Sequence, residues 1–330
     1  MEDGLQYFKY TYSTLLLIFS VVLVMACIIT GESKAALYNI HPAVAIILFW
    51  LLIGWLAVME GGQGCLVGLK PLESTMYRET HPISYKCCTI AHRATNLERF
   101  IVGRQFLVVL VIFLINMMGE AQPGADPLPG MPGIINTIFL GNSLALILTV
   151  IDIAQLPAQV TAASSMLDFI QSYIFLGTTY ISLAIEFSGL LHAVYLVQYG
   201  FEAIAGTNKK NDDDDKTKKK KQKKKKKKKN LSSTHHNTVD DIDDEYQEQE
   251  NPNESSNTIM TQLFFWGRVV MSTGFLCFAF AVTLTAIIQG NSGMWEGVPA
   301  WASIIIFFIL LCVVGLMEGM QVRKIWDGVE

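Results

Sequence analysis

Met59-Glu60-Gly61-Gly62-Gln63 closes a long apolar run that opens at Pro42-Ala43. A near copy, Met317-Glu318-Gly319-Met320-Gln321, closes another run, which opens at Pro299-Ala300. The segments ahead of them repeat as well: Ile28-Ile29-Thr30-Gly31-Glu32-Ser33 lines up with Ile287-Ile288-Gln289-Gly290-Asn291-Ser292. One chain therefore carries two related apolar units, with the same polar pair at the same place in each. Internal repeats of this kind mark many membrane transporters.

Composition agrees with a membrane protein. Of 330 residues, 51% are hydrophobic, and they fall in blocks. Charge is blocked too, with most lysines between Lys209 and Lys229, so the net charge of −4 says little. The six cysteines are scattered, and Cys87-Cys88 lacks the second pair that a zinc site needs. Neither a disulfide framework nor a metal cluster is expected, and no nucleic-acid partner is expected.

A helix needs about 20 apolar residues to cross a bilayer. The runs that qualify or nearly do are 14–29, 43–59, 106–118, 134–151, 167–199, 263–288 and 300–317. The first is read as a retained span, because its flank (Glu2, Asp3, Lys9) lacks the positive charge of a signal peptide. Pro157 is expected to end or bend the fourth. The fifth is too long for a simple span and must tilt, bend at Gly177 or Gly189, or project. Gly206 to Asn257 runs from an Asp block through a Lys block to an acidic segment; it cannot bury a core and is expected to be disordered.

The fold expected is thus an all-α integral membrane protein, a polytopic helical bundle of about seven spans. Residues 1–205 form a first five-span repeat, 206–258 a low-complexity linker, and 259–330 the first two spans of a second, truncated repeat. Two five-span units insert with opposite orientation, as in many secondary transporters. The connector after the second span holds Lys70, Arg78, Lys86 and Arg93, whereas Gly119 to Gly133 holds no Lys or Arg. The positive-inside rule puts that connector and the N-terminus in the cytosol. Counting five spans then places the Lys-rich linker outside, against the rule, and its side stays open.

Glu60 and Gln63 are three residues apart, which puts them on one helix face. Gly61, Gly62 and Gly64 remove bulk around them and weaken the helix by about 1 kcal/mol each relative to Ala. A helix that loosens there would expose carbonyls able to coordinate Na⁺, near Glu60 and Gly61. A Gln amide both donates and accepts, which suits a neutral, polyhydroxylated solute. Gly103-Arg104-Gln105 brings a second amide and a fixed cation to the start of the third span, where Arg104 can pair with Glu60.

Glu-Gly-x-Gln ending the second span, Gly-Arg-Gln opening the third, and the first motif repeated after a linker resemble the silicic acid transporters of diatoms and other silicifying algae. The resemblance runs from the first span to the end of the chain. It implies Na⁺-coupled uptake of silicic acid by alternating access. The solute-binding positions it implies are Glu60, Gln63, Arg104, Gln105, Glu318 and Gln321, with Gly61, Gly62, Gly103 and Gly319 as motif backbone. The partners it implies are silicic acid, Na⁺ and the lipid membrane, with no cofactor beyond the coupling ion. The plasma membrane is the expected location, an intracellular vesicle the alternative, and homo-oligomerisation is left open. A passive channel for a small neutral solute is the competing reading. No enzyme is expected, since the spans hold no nucleophile–base pair and no His-Glu-x-x-His spacing.

Asp152, Glu186 and His192 lie in or beside spans, where an ionisable group is a functional candidate by default. Their bland readings are interfacial placement for Asp152 and a buried pair with another helix for Glu186. His81 and His92, in a polar connector, read as surface residues rather than ligands.

Overall fold

The computed structural model describes residues 2–69, 74–197, 254–290 and 298–327; the side chains of 2, 3, 74, 254–262 and 318–327 lie outside that description. Its elements are helical throughout, with one isolated antiparallel bridge between Ser33 and Ala121. Among the described residues, six helices are long and apolar enough to cross a membrane: Gly4–Ile29, Pro42–Gly68, Asn96–Gly119, Leu144–Ser164, Leu263–Ile288 and Ala300–Met317. A further apolar helix, Tyr173–Phe187, is shorter. The chain is an all-α, polytopic membrane protein. It divides into two units, Met1–Ser188 with Leu284–Glu330, and Gly189–Thr283.

In the first unit, α1 (Glu2–Ile29) leads into α2 (Pro42–Gly68), whose first turn starts on a proline, where a missing N–H is harmless. His41 caps it, its Nδ1 accepting from Ala43 N. A short α3 (Pro82–Ala91) precedes α4 (Asn96–Gly119). The fourth apolar segment is broken. It consists of α5 (Gly133–Asn136), a π-helical turn Thr137–Gly141, α6 (Leu144–Val150), a second π turn Ile151–Gln155 and α7 (Leu156–Ser164). Two short pieces follow, α8 (Met166–Phe169) and α9 (Tyr173–Phe187).

One span boundary is corrected here and two open expectations are resolved. The fourth span is not 134–151 but Leu144–Ser164, because Ser143 adopts a left-handed backbone and interrupts the helix ahead of it. Pro157 does not end that span. It sits in the first turn of α7, just after the π turn, which absorbs the hydrogen bond that proline cannot make. The fifth stretch is not one long helix. It bends at Gly189 (φ +89°), as its length required, but it also breaks at 170–172, where no glycine signals it. With 15 residues, α9 is only about 22 Å long.

Gly119 abuts Phe49 and Leu146, while Glu60 meets Arg104 and Gly61 meets Ala158. These pairings run α4 antiparallel to α2, and the fourth span parallel to it. One buried cluster, including Leu23, Phe49, Leu56, Ile115 and Leu146, packs α1, α2, α4 and α6. A second, including Leu66, Cys87, Phe100, Ile170 and Phe175, packs the other end against α3 and α9.

The loops sort to two sides. The turns after α1 and α4 join: Lys34 N donates to Glu120 O (2.8 Å), Gln122 N to Glu32 O (2.8 Å), and Lys34 Nζ lies 2.8 Å from Glu120 Oε1. The connector after α2 joins the segment after α7. His81 Nε2 lies 3.1 Å from Asp168 Oδ1, Ser84 N donates to Gln171 Oε1 (3.0 Å), and Ser84 Oγ donates to Leu167 O (2.7 Å). His92 Nε2 donates to Leu66 O at the end of α2 (2.8 Å). The two connector histidines are therefore structural clasps.

In the second unit, Gly189 adopts its left-handed backbone against Arg268, and Ser272 Oγ accepts from Ala193 N (3.0 Å). His192 is buried beside the rings of Tyr195 and Phe265. The helix α10 (Glu254–Ile288) begins inside the stretch expected to be linker, so residues 254–257 are helical. The rest of the linker, 206–253, lies outside the described residues. The helix α11 (Ala300–Asp327) belongs to the first unit. The repeated Ile-Ile-x-Gly segments share one geometry: α1 and α10 both stop at the second isoleucine and turn on a left-handed glycine, Gly31 (φ +78°) and Gly290 (φ +72°).

This arrangement and the positive-inside rule give a topology test. On intact cells, a membrane-impermeant thiol reagent should label Asp126→Cys but not Glu79→Cys. The native Cys87 and Cys88 should stay silent even after permeabilisation. Both are buried, and burial pushes the Cys87 thiol up to about 12 and that of Cys88 in the same direction.

Candidate functional site

Both motifs lie inside helices rather than at their ends. Eight residues of α2 follow Glu60, and Gly103 is two turns into α4. The guanidinium of Arg104 is buried between the two helices (2% exposed). Its Nη1 lies 3.5 Å from Glu60 Oε1 and 3.5 Å from Met59 O, and its Nη2 donates to Gln105 Oε1 at 3.0 Å. The Glu60 side chain is 13% exposed. One cation thus holds a carboxylate from α2 and an amide from α4. Removing one partner of a buried pair costs about 3–5 kcal/mol, because the other charge is left uncompensated.

Gln63 and Gln105 are half-buried. The Gln105 amide oxygen is taken by Arg104, which turns its NH₂ group away from that cation. The glycines do not loosen the helix: α2 continues unbroken through Gly61, Gly62 and Gly64 to Gly68. The unwound carbonyls expected for a cation are therefore not formed. Close packing is what the glycines permit. A Cβ at Gly61 would run into the Phe169 ring and the Ala158 carbonyl, and one at Gly62 into the Phe175 ring. A Cβ at Gly103 would run into the Ser182 carbonyl oxygen. At Gly64 it would meet nothing within 4 Å. Helix propensity loses to interhelical contact at 61, 62 and 103.

Sequence reasoning left the role of α9 undefined. Thr178, Thr179, Ser182 and Glu186 form a buried polar face on this apolar helix. Trp55 Nε1 donates to Thr178 Oγ1 (2.9 Å), and Arg99 Nε donates to Glu186 Oε2 (2.6 Å). Glu186 therefore takes its bland reading, a buried pair with another helix. Spacing of three and four residues was the signal that could have revealed this face. Asp152 sits half-buried on the π turn that packs against α2. The second motif copy lies on α11, and the side chains of Glu318 and Gln321, like the surroundings of Gly319, are outside the described residues. Among the described residues, no group of three or more His, Cys, Asp or Glu is arranged to hold a metal ion.

Residues 1–225 and 248–325 match the family model described as "Silicon transporter". No curated protein and no solved structure matches the chain. The chain belongs to the silicon transporter family, and both described motifs fall within the matched residues.

The glycine contacts make a prediction within single helices. Gly62→Ala and Gly103→Ala force a ring or a backbone carbonyl aside and should destabilise the protein by about 1–3 kcal/mol, as overpacking does. Gly64→Ala, in open space, should raise stability by up to about 1 kcal/mol through helix propensity. Melting temperatures in detergent or nanodiscs check the ranking.

Proposed function

We propose that this chain takes up silicic acid across the plasma membrane, coupled to Na⁺, by alternating access. Family membership supports silicic acid as the solute and transport as the activity. The observation that supports the site is the buried Arg104, which fixes the Gln105 amide beside Glu60. Silicic acid is small, neutral and bears four hydroxyls. Amides that both donate and accept can read it without a charged partner. In this reading Gln63 and Gln105 bind the hydroxyls, and Arg104 holds Gln105 in the binding orientation.

Moving a neutral solute uphill requires a coupled ion. Because the helix is intact at Gly61, the cation is assigned to the Glu60 carboxylate rather than to glycine carbonyls. The repeat at Glu318, Gly319 and Gln321 supplies the opposing half of the site in the five-span repeat scheme. Such a layout lets two related halves rock about one solute position.

Gln63→Ala and Gln105→Ala should each reduce silicic acid uptake by about tenfold or more, with surface level unchanged, since one lost hydrogen bond of about 1.4 kcal/mol is tenfold in affinity. Uptake traced with germanium-68 in proteoliposomes gives the measurement. Removing the Na⁺ gradient should stop accumulation; equilibration that ignores Na⁺ would instead favour a passive channel.

A further inference from the structure

The two described motifs share a neighbour that neither of them names. Gly62, one residue before Gln63, packs on Phe175, and Gly103, one residue before Arg104, packs on Ser182. Phe175 and Ser182 lie on the same buried face of α9, so this face closes the third side of the α2–α4 contact. It is unusually polar for an apolar helix. Thr178, Thr179, Ser182 and Glu186 are all between 0 and 3% exposed.

Three of these four groups are satisfied. Thr178 Oγ1 donates to Ile174 O (2.8 Å) and accepts from Trp55, Thr179 Oγ1 donates to Phe175 O (3.0 Å), and Glu186 holds Arg99. Ser182 is different. Its hydroxyl is fully buried and has no hydrogen-bond partner among the described residues. A helical serine can return its proton to the carbonyl one turn back, as both threonines do. Leaving a buried hydroxyl unpaired is unfavourable, and such a group calls for an explanation. Retaining a serine there is physically reasonable if a ligand completes it.

The geometry points to Ser182 as a solute-binding residue, its hydroxyl contacting a neutral, hydroxyl-rich solute from α9, on the side of α4 that Gly103 leaves open. This rests on the functional reading above and extends the site to a third helix. A hydroxyl suits such a solute because it gives and takes one hydrogen bond without adding charge. Gly103 is required by the same arrangement, since any side chain there would part Ser182 from the residue beside Arg104.

The test uses the full chain in proteoliposomes with orthosilicic acid and a germanium-68 tracer. Ser182→Ala is compared with the wild type and with Ser20→Ala, whose buried hydroxyl on α1 already donates to Leu16 O. Ser182→Ala should raise KM about tenfold, the loss of one good hydrogen bond, with the maximal rate kept. Without silicic acid its melting temperature should equal or exceed that of the wild type, because an unpaired buried hydroxyl has been removed. The rise in melting temperature on adding silicic acid should shrink. Ser20→Ala should leave KM unchanged. A KM within twofold of the wild type, or a fall in melting temperature without silicic acid, would overturn the assignment of Ser182 and leave the transport reading standing. Wild-type protein that neither takes up silicic acid nor is stabilised by it would overturn both.

Discussion

A guanidinium between two membrane helices has to be matched where it lies. A charge near the bilayer centre costs about 2.5–3.5 kcal/mol on insertion scales, and it persists only against a partner. Arg104 meets the Glu60 carboxylate, the Met59 carbonyl and the Gln105 amide. The first two are within reach only because α2 runs beside α4 at this level, whereas Gln105 is the next residue on α4 itself. Glycine then lets further elements close in. Gly61 admits Phe169 and the α7 backbone, Gly62 admits Phe175, and Gly103 admits the α9 backbone. The charge pair sets which residues must meet, and the glycines set how near their neighbours come.

Hydropathy made the spans legible, because apolar length is what the bilayer selects. The two C-terminal helices contain the apolar runs 263–288 and 300–317, and each extends past its run at one end, to Glu254 and to Asp327. Other boundaries were displaced where polar residues continue a helix. Glu60 and Gln63 read as an exit but are interior, and Arg99 and Arg104 read as connector and threshold although α4 starts at Asn96. Charges paired across helices do not end them, and a linear hydropathy reading cannot see the partner. The break at 170–172 was hidden for a related reason. Its cap is the hydroxyl of Ser172, which accepts from Ile174 N, within a run that otherwise reads as continuous.

The geometry of the candidate site was legible in part. Residue type and spacing singled out Glu60, Gln63 and the Gly-Arg-Gln run, and the close approach of Arg104 and Glu60 follows from opposite charge beside an apolar medium. The function of the glycines was not legible. One residue permits either a loose helix or a tight contact, and the choice depends on Phe169, Phe175 and Ser182, more than seventy positions away along the chain. Two segments alike in sequence are also alike in backbone. In both copies the Ile-Ile-x-Gly segment is a helix stop, since glycine takes the left-handed backbone that would strain other residues.

The two π-helical turns of the fourth apolar segment carry a mechanical consequence. Each α-helical residue advances the chain by about 100° around the axis, so the extra residue held by a π turn rotates everything beyond it. The turn Ile151–Gln155 lies against α2, with Asp152 and Gln155 on it and Ala158 just beyond, touching Gly61. Were that bulge to slide one position along the rod, the half of the helix next to Gly61 would swivel while its remaining backbone bonds re-formed. The bulge thus sets which face of α7 meets Gly61, next to the Glu60–Arg104 pair.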